Sequence, residues 1–82
     1  MFSEIEIDDY EDINNMQKSG FYKGYCHYIN APVDSTSVLP ALLVVIKSEF
    51  CISQFFISRD SNKIYMRVMN GIGTTISAWK EL

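Results

Sequence analysis

The chain has 82 residues, a net charge of −3 and an isoelectric point near 4.9, which bounds it to one small acidic domain. Its seven Lys and Arg are scattered from Lys18 to Lys80, so the clustered positive charge that displaces phosphate counterions is missing and no nucleic-acid partner is expected. No apolar run approaches the ~20 residues of a membrane span, and Met1-Phe2-Ser3-Glu4 has neither the basic start nor the apolar stretch of a secretory leader, so membrane insertion is not expected either.

A chain this short buries only about 60% of its extended surface, and its own core is marginal. Residues 1–8 read as an N-terminal arm and residues 9–82 as the domain. In the arm, Ile5 and Ile7 alternate with Glu4, Glu6 and Asp8, the pattern of a short strand with one apolar face. Such a strand is too small to stand alone. Phe2, Ile5 and Ile7 are therefore its candidate contacts with a second copy or another chain. Next, Tyr10, Ile13 and Met16 recur at spacings of three, which predicts a short helix over residues 9–17, capped by Asp8 or Asp9 and ended by Gly20. The carboxylates Asp8, Asp9, Glu11 and Asp12 lack the Gly of a calcium loop, so they read as a solvated helix start.

Phe21 to Asn30 is an aromatic strand. Phe21, Lys23, Tyr25, His27 and Ile29 share one face, and Tyr22, Gly24, Cys26 and Tyr28 the other. Gly24 predicts a bulge or a close backbone approach. Ala31 to Ser37 is a loop, and Pro40 borders the next strand. Ala41 to Ile46 is apolar on both faces, so one cover is the core and the other is expected to be a partner subunit. Phe50, Ile52 and Phe56 share a face with Gln54, whose amide needs partners if it is buried. Cys51, Phe55 and Ile57 lie opposite. After the Asp60-Ser61-Asn62 break, Ile64, Met66 and Val68 alternate with Tyr65, Arg67 and Met69. Asn70-Gly71-Ile72-Gly73 is a turn, and Ile76 to Trp79 continues the alternation, with Trp79 as a buried anchor. Together these predict a mainly β fold: a small antiparallel sheet or sandwich knob of four or five strands with one short N-terminal helix.

The sequence carries little chemistry. Catalysis needs a poised base and a group for it to act on. The only histidine, His27, follows Cys26 on a strand, where neighbours point to opposite faces. Cys26, His27 and Cys51 lack the spacing of a zinc site, and the four glycines form no phosphate loop. No enzyme activity, metal or cofactor is expected, and the two cysteines read as reduced, buried thiols. What stands out is aromatic. Tyr22, Tyr25, Tyr28 and Tyr65, with His27 beside them, are candidate surface contacts, because flat apolar rings with polar rims suit sugars and proteins alike. Plain sheet packing is the competing reading of the same residues.

Several motifs then occur in a fixed order. Asp9-Tyr10-Glu11-Asp12-Ile13-Asn14 precedes Gly20-Phe21-Tyr22. Asn30-Ala31-Pro32, Leu42-Leu43-Val44-Val45 and Gln54-Phe55-Phe56-Ile57 follow. Lys63-Ile64-Tyr65-Met66-Arg67 leads to Asn70-Gly71 and the terminal Trp79-Lys80-Glu81-Leu82. This ordered set resembles the pyocin-knob domain, a small module at the ends of bacteriophage and pyocin fibre proteins. The resemblance covers about Asp9 to Leu82. It departs from the family's pattern at Gly71 to Ile76, where the usual Trp-containing turn is absent. It implies a non-enzymatic virion fibre or appendage knob, on tail or head, that attaches to the host surface. It also implies a homotrimer and/or a seat on a larger virion protein, a cell-surface glycan or wall polymer as ligand, and a location in the virion after assembly in the host cytoplasm. A structural adaptor or decoration protein without receptor contact is the alternative, and a small host-modifying phage protein a weaker one.

Overall fold

The computed structural model describes residues 4–82. Eight strands are found among them: β1 (Glu4–Glu6), β2 (Glu11–Asp12), β3 (Gly20–Cys26), β4 (Tyr28–Ile29), β5 (Leu39–Lys47), β6 (Cys51–Ser58), β7 (Lys63–Asn70) and β8 (Lys80–Glu81). Six of them form one sheet in the order β1-β3-β5-β6-β7-β8, and β2 pairs with β4 in a second, two-stranded sheet. The fold is mainly β, as expected, but the strand count exceeds four or five and the large sheet is mixed. Its four long strands, β3, β5, β6 and β7, are antiparallel, whereas β1 runs parallel to β3.

The expected helix over residues 9–17 is absent among the described residues. A single 3-10 turn, Ile13–Asn15, stands in its place. The short polar side chains explain this, because Asp and Asn compete for backbone groups and favour turns over helix. Asp12, not Asp8 or Asp9, caps the turn by accepting from Asn14 N at 2.9 Å. Tyr10 takes a left-handed φ of 62° that no helix could continue. The three-residue spacing still has a structural meaning, since Ile13 and Met16 are both buried and residues three apart eclipse on a 3-10 turn. Gly20 opens β3 rather than closing a helix.

The arm is also placed differently. Glu4, Ile5 and Glu6 register against Phe21, Tyr22 and Lys23, and Ile7 N donates to Lys23 O at 2.7 Å. Ile7 is a core residue of its own chain, not an oligomer contact. Ile5 remains exposed on the edge strand, and Phe2 lies outside the described residues. Pairing with β3 satisfies the inner edge of β1 within the chain, and its outer edge is the free edge of the sheet.

The core lies on one face of the large sheet. Tyr22 and Cys26 of β3, Ala41, Leu43 and Val45 of β5, Ile52 and Phe56 of β6 and Met69 of β7 point inward. Ile7, Ile13, Met16 and Tyr28 cover them. Burying a side chain such as Phe56 stabilises the fold by about 2–3 kcal/mol. The Tyr28 ring meets Phe56 edge-on at 5.3 Å. Gly24 makes no bulge, because the β3–β5 register is unbroken through Gly24↔Ala41. It is instead the close approach. A Cβ there would lie 3.0 Å from Tyr28 Oη and 3.2 Å from Ile7 Cβ.

Ile76 and Trp79 do not alternate in a continuous strand. Ile76 makes an isolated bridge with Met69, β8 is only Lys80–Glu81, and both Ile76 and Trp79 pack against the core. Trp79 is half-buried rather than fully enclosed. Its ring lies edge-on to Phe56 at 6.1 Å, and its Nε1 donates to Asn30 O at 2.9 Å. This tie fastens the end of the chain to the loop after β4.

Candidate functional site

The five aromatic candidates do not converge. Tyr22 and Tyr28 are buried, so neither is a surface contact in this chain. Their hydroxyls donate inward, Tyr22 to Lys18 O at 2.7 Å and Tyr28 to Leu39 O at 2.6 Å. Burial raises both phenols above their ordinary range. Tyr25 is 70% exposed on the opposite face of β3. Tyr65 is half-buried and packs against the core face of β7. A strand with aromatics at both parities cannot say which face is inward, and one step of register exchanges the two.

His27 sits elsewhere again, in a small surface cluster. Its ring stacks on Tyr10 with centroids 4.3 Å apart and planes 3° from parallel. Asp9 Oδ1 accepts from His27 N at 2.8 Å and lies 2.8 Å from His27 Nδ1. These bonds hold the Asp9 carboxyl below its usual value, chiefly through the His27 amide. The left-handed backbone of Tyr10 costs about 1–2 kcal/mol, and Tyr10 N→His27 O at 2.9 Å holds it in place. Asp9 Oδ1, His27 N, His27 Nδ1 and the Tyr10 amide are thus all engaged within the chain. Two further carboxylates nearby are engaged: Asp12 Oδ1 accepts from Asn14 N and Asn30 Nδ2, and Glu11 Oε1 from Asp8 N. Among the described residues, no three His, Cys, Asp or Glu converge to hold a metal ion. Cys26 is buried but Cys51 is exposed, which corrects the reading of both as buried; both are free thiols.

A different site emerges from polar residues inside the core. Gln54 is fully buried, and its amide is satisfied in full. Nε2 donates to Ile13 O at 2.9 Å and to Met16 O at 2.8 Å, and Oε1 accepts from Arg67 Nε at 2.7 Å. Gln54 therefore fixes the 3-10 turn over β6 and orients Arg67. The Arg67 guanidinium lies 4.3 Å over the Trp79 ring, a favourable cation–π arrangement. Arg67 is only 6% exposed, yet its Nη2 has no hydrogen-bond partner. Asn14 Oδ1 is likewise buried and unpartnered. Both residues line one surface cavity of about 520 Å³, together with Asn30, Ser77 and Trp79. The sequence signal was a charged residue at the inward parity of β7, between Tyr65 and Met69.

The far side of the large sheet is a second feature. Lys23, Leu42, Ile57 and Ile64 stand in one row across β3, β5, β6 and β7, and Phe21, Val44, Phe55 and Met66 in the next. Leu42 and Ile46 are 47% and 48% exposed, and Ile64 and Val68 are also exposed. Charge is confined to the margins: Glu4, Glu6 and Lys23 lie toward β1, and Lys80 toward β8. Beside the face, a cavity of about 470 Å³ is lined by Gly24, Leu42, Ile57 and Ile64 among others.

No protein-family model, no curated protein and no solved structure matches this chain.

Proposed function

We propose that this chain is a non-enzymatic knob of a bacteriophage fibre or appendage, carried in the virion and serving host-surface attachment. In this reading it assembles in the host cytoplasm as a homotrimer, on a larger virion protein, or both. The ordered motifs from Gly20-Phe21-Tyr22 to Trp79-Lys80-Glu81-Leu82 support the family assignment. The observation that carries assembly is the broad apolar face of the large sheet. Strand spacing of ~4.8 Å and a rise of ~3.3 Å per residue give its four long strands a flat area of roughly 500 Å². Two copies meeting there bury about 1,000 Å², the lower bound for a specific interface. A patch of this size is among the largest that monomeric proteins leave in water, and such patches are often functional.

A structural adaptor or decoration protein is the second reading, and the same face favours it, since packing between subunits needs no receptor. The ligand of the first reading is a host glycan or wall polymer. Sedimentation at micromolar concentration tests assembly, with Leu42→Lys and Val68→Lys expected to dissociate the oligomer. Finding the chain in purified particles, and particles lacking it failing to adsorb, is the expected result. Its absence from virions would remove both readings, and normal adsorption without it would leave only the adaptor.

A further inference from the structure

We propose that the cavity beside Arg67 and Trp79 binds an anionic oxygen group, a carboxylate or a phosphate, carried next to a hydroxyl on a sugar or small polyol. Arg67 is the reason. A guanidinium taken out of water needs a counter-charge and a partner for each N–H, or the fold bears the desolvation. Here its Nε reaches a neutral amide oxygen, its face covers an indole, and Nη2 reaches nothing. Among the described residues no carboxylate forms an ion pair with it. Asp12 is the acid that acts on it electrostatically, and its Oδ1 is already shared by Asn14 N and Asn30 Nδ2. Burial thus pushes the guanidinium below its ordinary value, as expected for a buried cation without an anion.

The second orphan defines the rest of the ligand. Asn14 Oδ1 is an acceptor, so it calls for a donor such as a hydroxyl. Both residues line one cavity, although the two unpaired atoms themselves each expose less than 1 Å²; a group that offers an anionic oxygen and a hydroxyl side by side would draw both side chains to it. Uronic acids and polyol phosphates both have that chemistry. Arg suits either anion, since its planar fork pairs with carboxylate and phosphate alike. The indole and the Ser77 side of the cavity leave a mixed apolar and polar wall for the remaining carbons.

Trp79 is the only tryptophan, so its fluorescence reports on this site alone. The full chain is titrated with D-glucuronate and with glycerol phosphate at constant ionic strength, with glucose and glycerol as neutral controls. A saturable change in the millimolar range with at least one anionic probe, and none with the neutral ones, is expected. Response to glucuronate alone assigns an acidic sugar; response to glycerol phosphate alone assigns a polyol-phosphate polymer. Arg67→Gln should weaken binding by ~10-fold or more, because the charge-assisted bond is lost. Asn14→Leu is the safeguard against misfolding, since the turn uses only Asn14's backbone. It should keep the melting temperature and weaken binding several-fold. Absence of a saturable response to both anions, an equal response to glucose, or unchanged affinity in Asn14→Leu would overturn the assignment. The site stands apart from the fibre reading: an anion-binding chain that is absent from virions keeps this inference and loses that one, and the converse result does the reverse.

Discussion

Replacing Gln54 by Met, which has nearly the same shape, removes the amide and little else. Ile13 O keeps one bond, from Met16 N at 3.1 Å. Met16 O and Arg67 Nε lose the partners that Gln54 supplied. A buried neutral group left unpaired costs about 1–3 kcal/mol, and a charged one lies at the top of that range or above it. The expected destabilisation is therefore about 4–6 kcal/mol. An 82-residue domain has only about 4–12 kcal/mol in total. At about 4–8 °C per kcal/mol for a domain of this size, the melting temperature should fall by roughly 15 °C or more. Urea and thermal unfolding followed by circular dichroism would measure both quantities. The double substitution Gln54→Met with Arg67→Met removes the stranded charge as well, so the pair should be milder than the sum of the singles by about 1–3 kcal/mol. A Gln54→Met protein that melts within a couple of degrees of the parent, or a coupling near zero, would refute the hub role of Gln54.

Three further outcomes follow from the packing. Gly24→Ala should destabilise by about 1–3 kcal/mol, because its Cβ would crowd Tyr28 Oη at 3.0 Å; a stabilised protein, as intrinsic glycine entropy alone would give, would show that the Tyr28 ring moves aside freely. Trp79→Ala should cost about 3 kcal/mol, the low end for such truncations, because the indole is half-buried against Phe56 and Arg67; an unchanged melting temperature would mark Trp79 as a surface contact instead. Asp9 has a depressed carboxyl pKa in the folded state, so its stabilising effect is present above the ordinary value of 3.8 and is lost as pH falls through the folded value. NMR titration should place the Asp9 midpoint below 3.8, and His27→Ala should raise it only part of the way, because the amide bond that lowers it most remains; a midpoint at or above 3.8 in the parent chain would contradict the Asp9–His27 geometry.

The local pattern of residues was enough to specify the β class, the long strands and which residues of β6 and β7 share a face, but not which face is inward. Alternation such as Ile52, Gln54, Phe56 or Tyr65, Arg67, Met69 depends only on the two-residue period of a strand. The need of a buried Gln54 for partners was likewise visible, because an amide's hydrogen-bonding capacity is intrinsic to the residue. Which partners answer it was not. Ile13 and Met16 lie about 40 positions away, at separations of 41 and 38 residues, and only the fold brings them over β6. The short helix failed for a local reason, the Asp12 cap and the left-handed Tyr10, while the arm failed for a distant one, the parallel edge it finds on β3. Tyr22 and Tyr28 could not be told from Tyr25, because a strand aromatic on both faces has no inherent inside. The cavity at Arg67 draws residues from the 3-10 turn, the loop after β4, β7 and the chain's last turn. Tertiary structure alone decides such a site, since a charge becomes a binding group only when its surroundings remove water without supplying an anion.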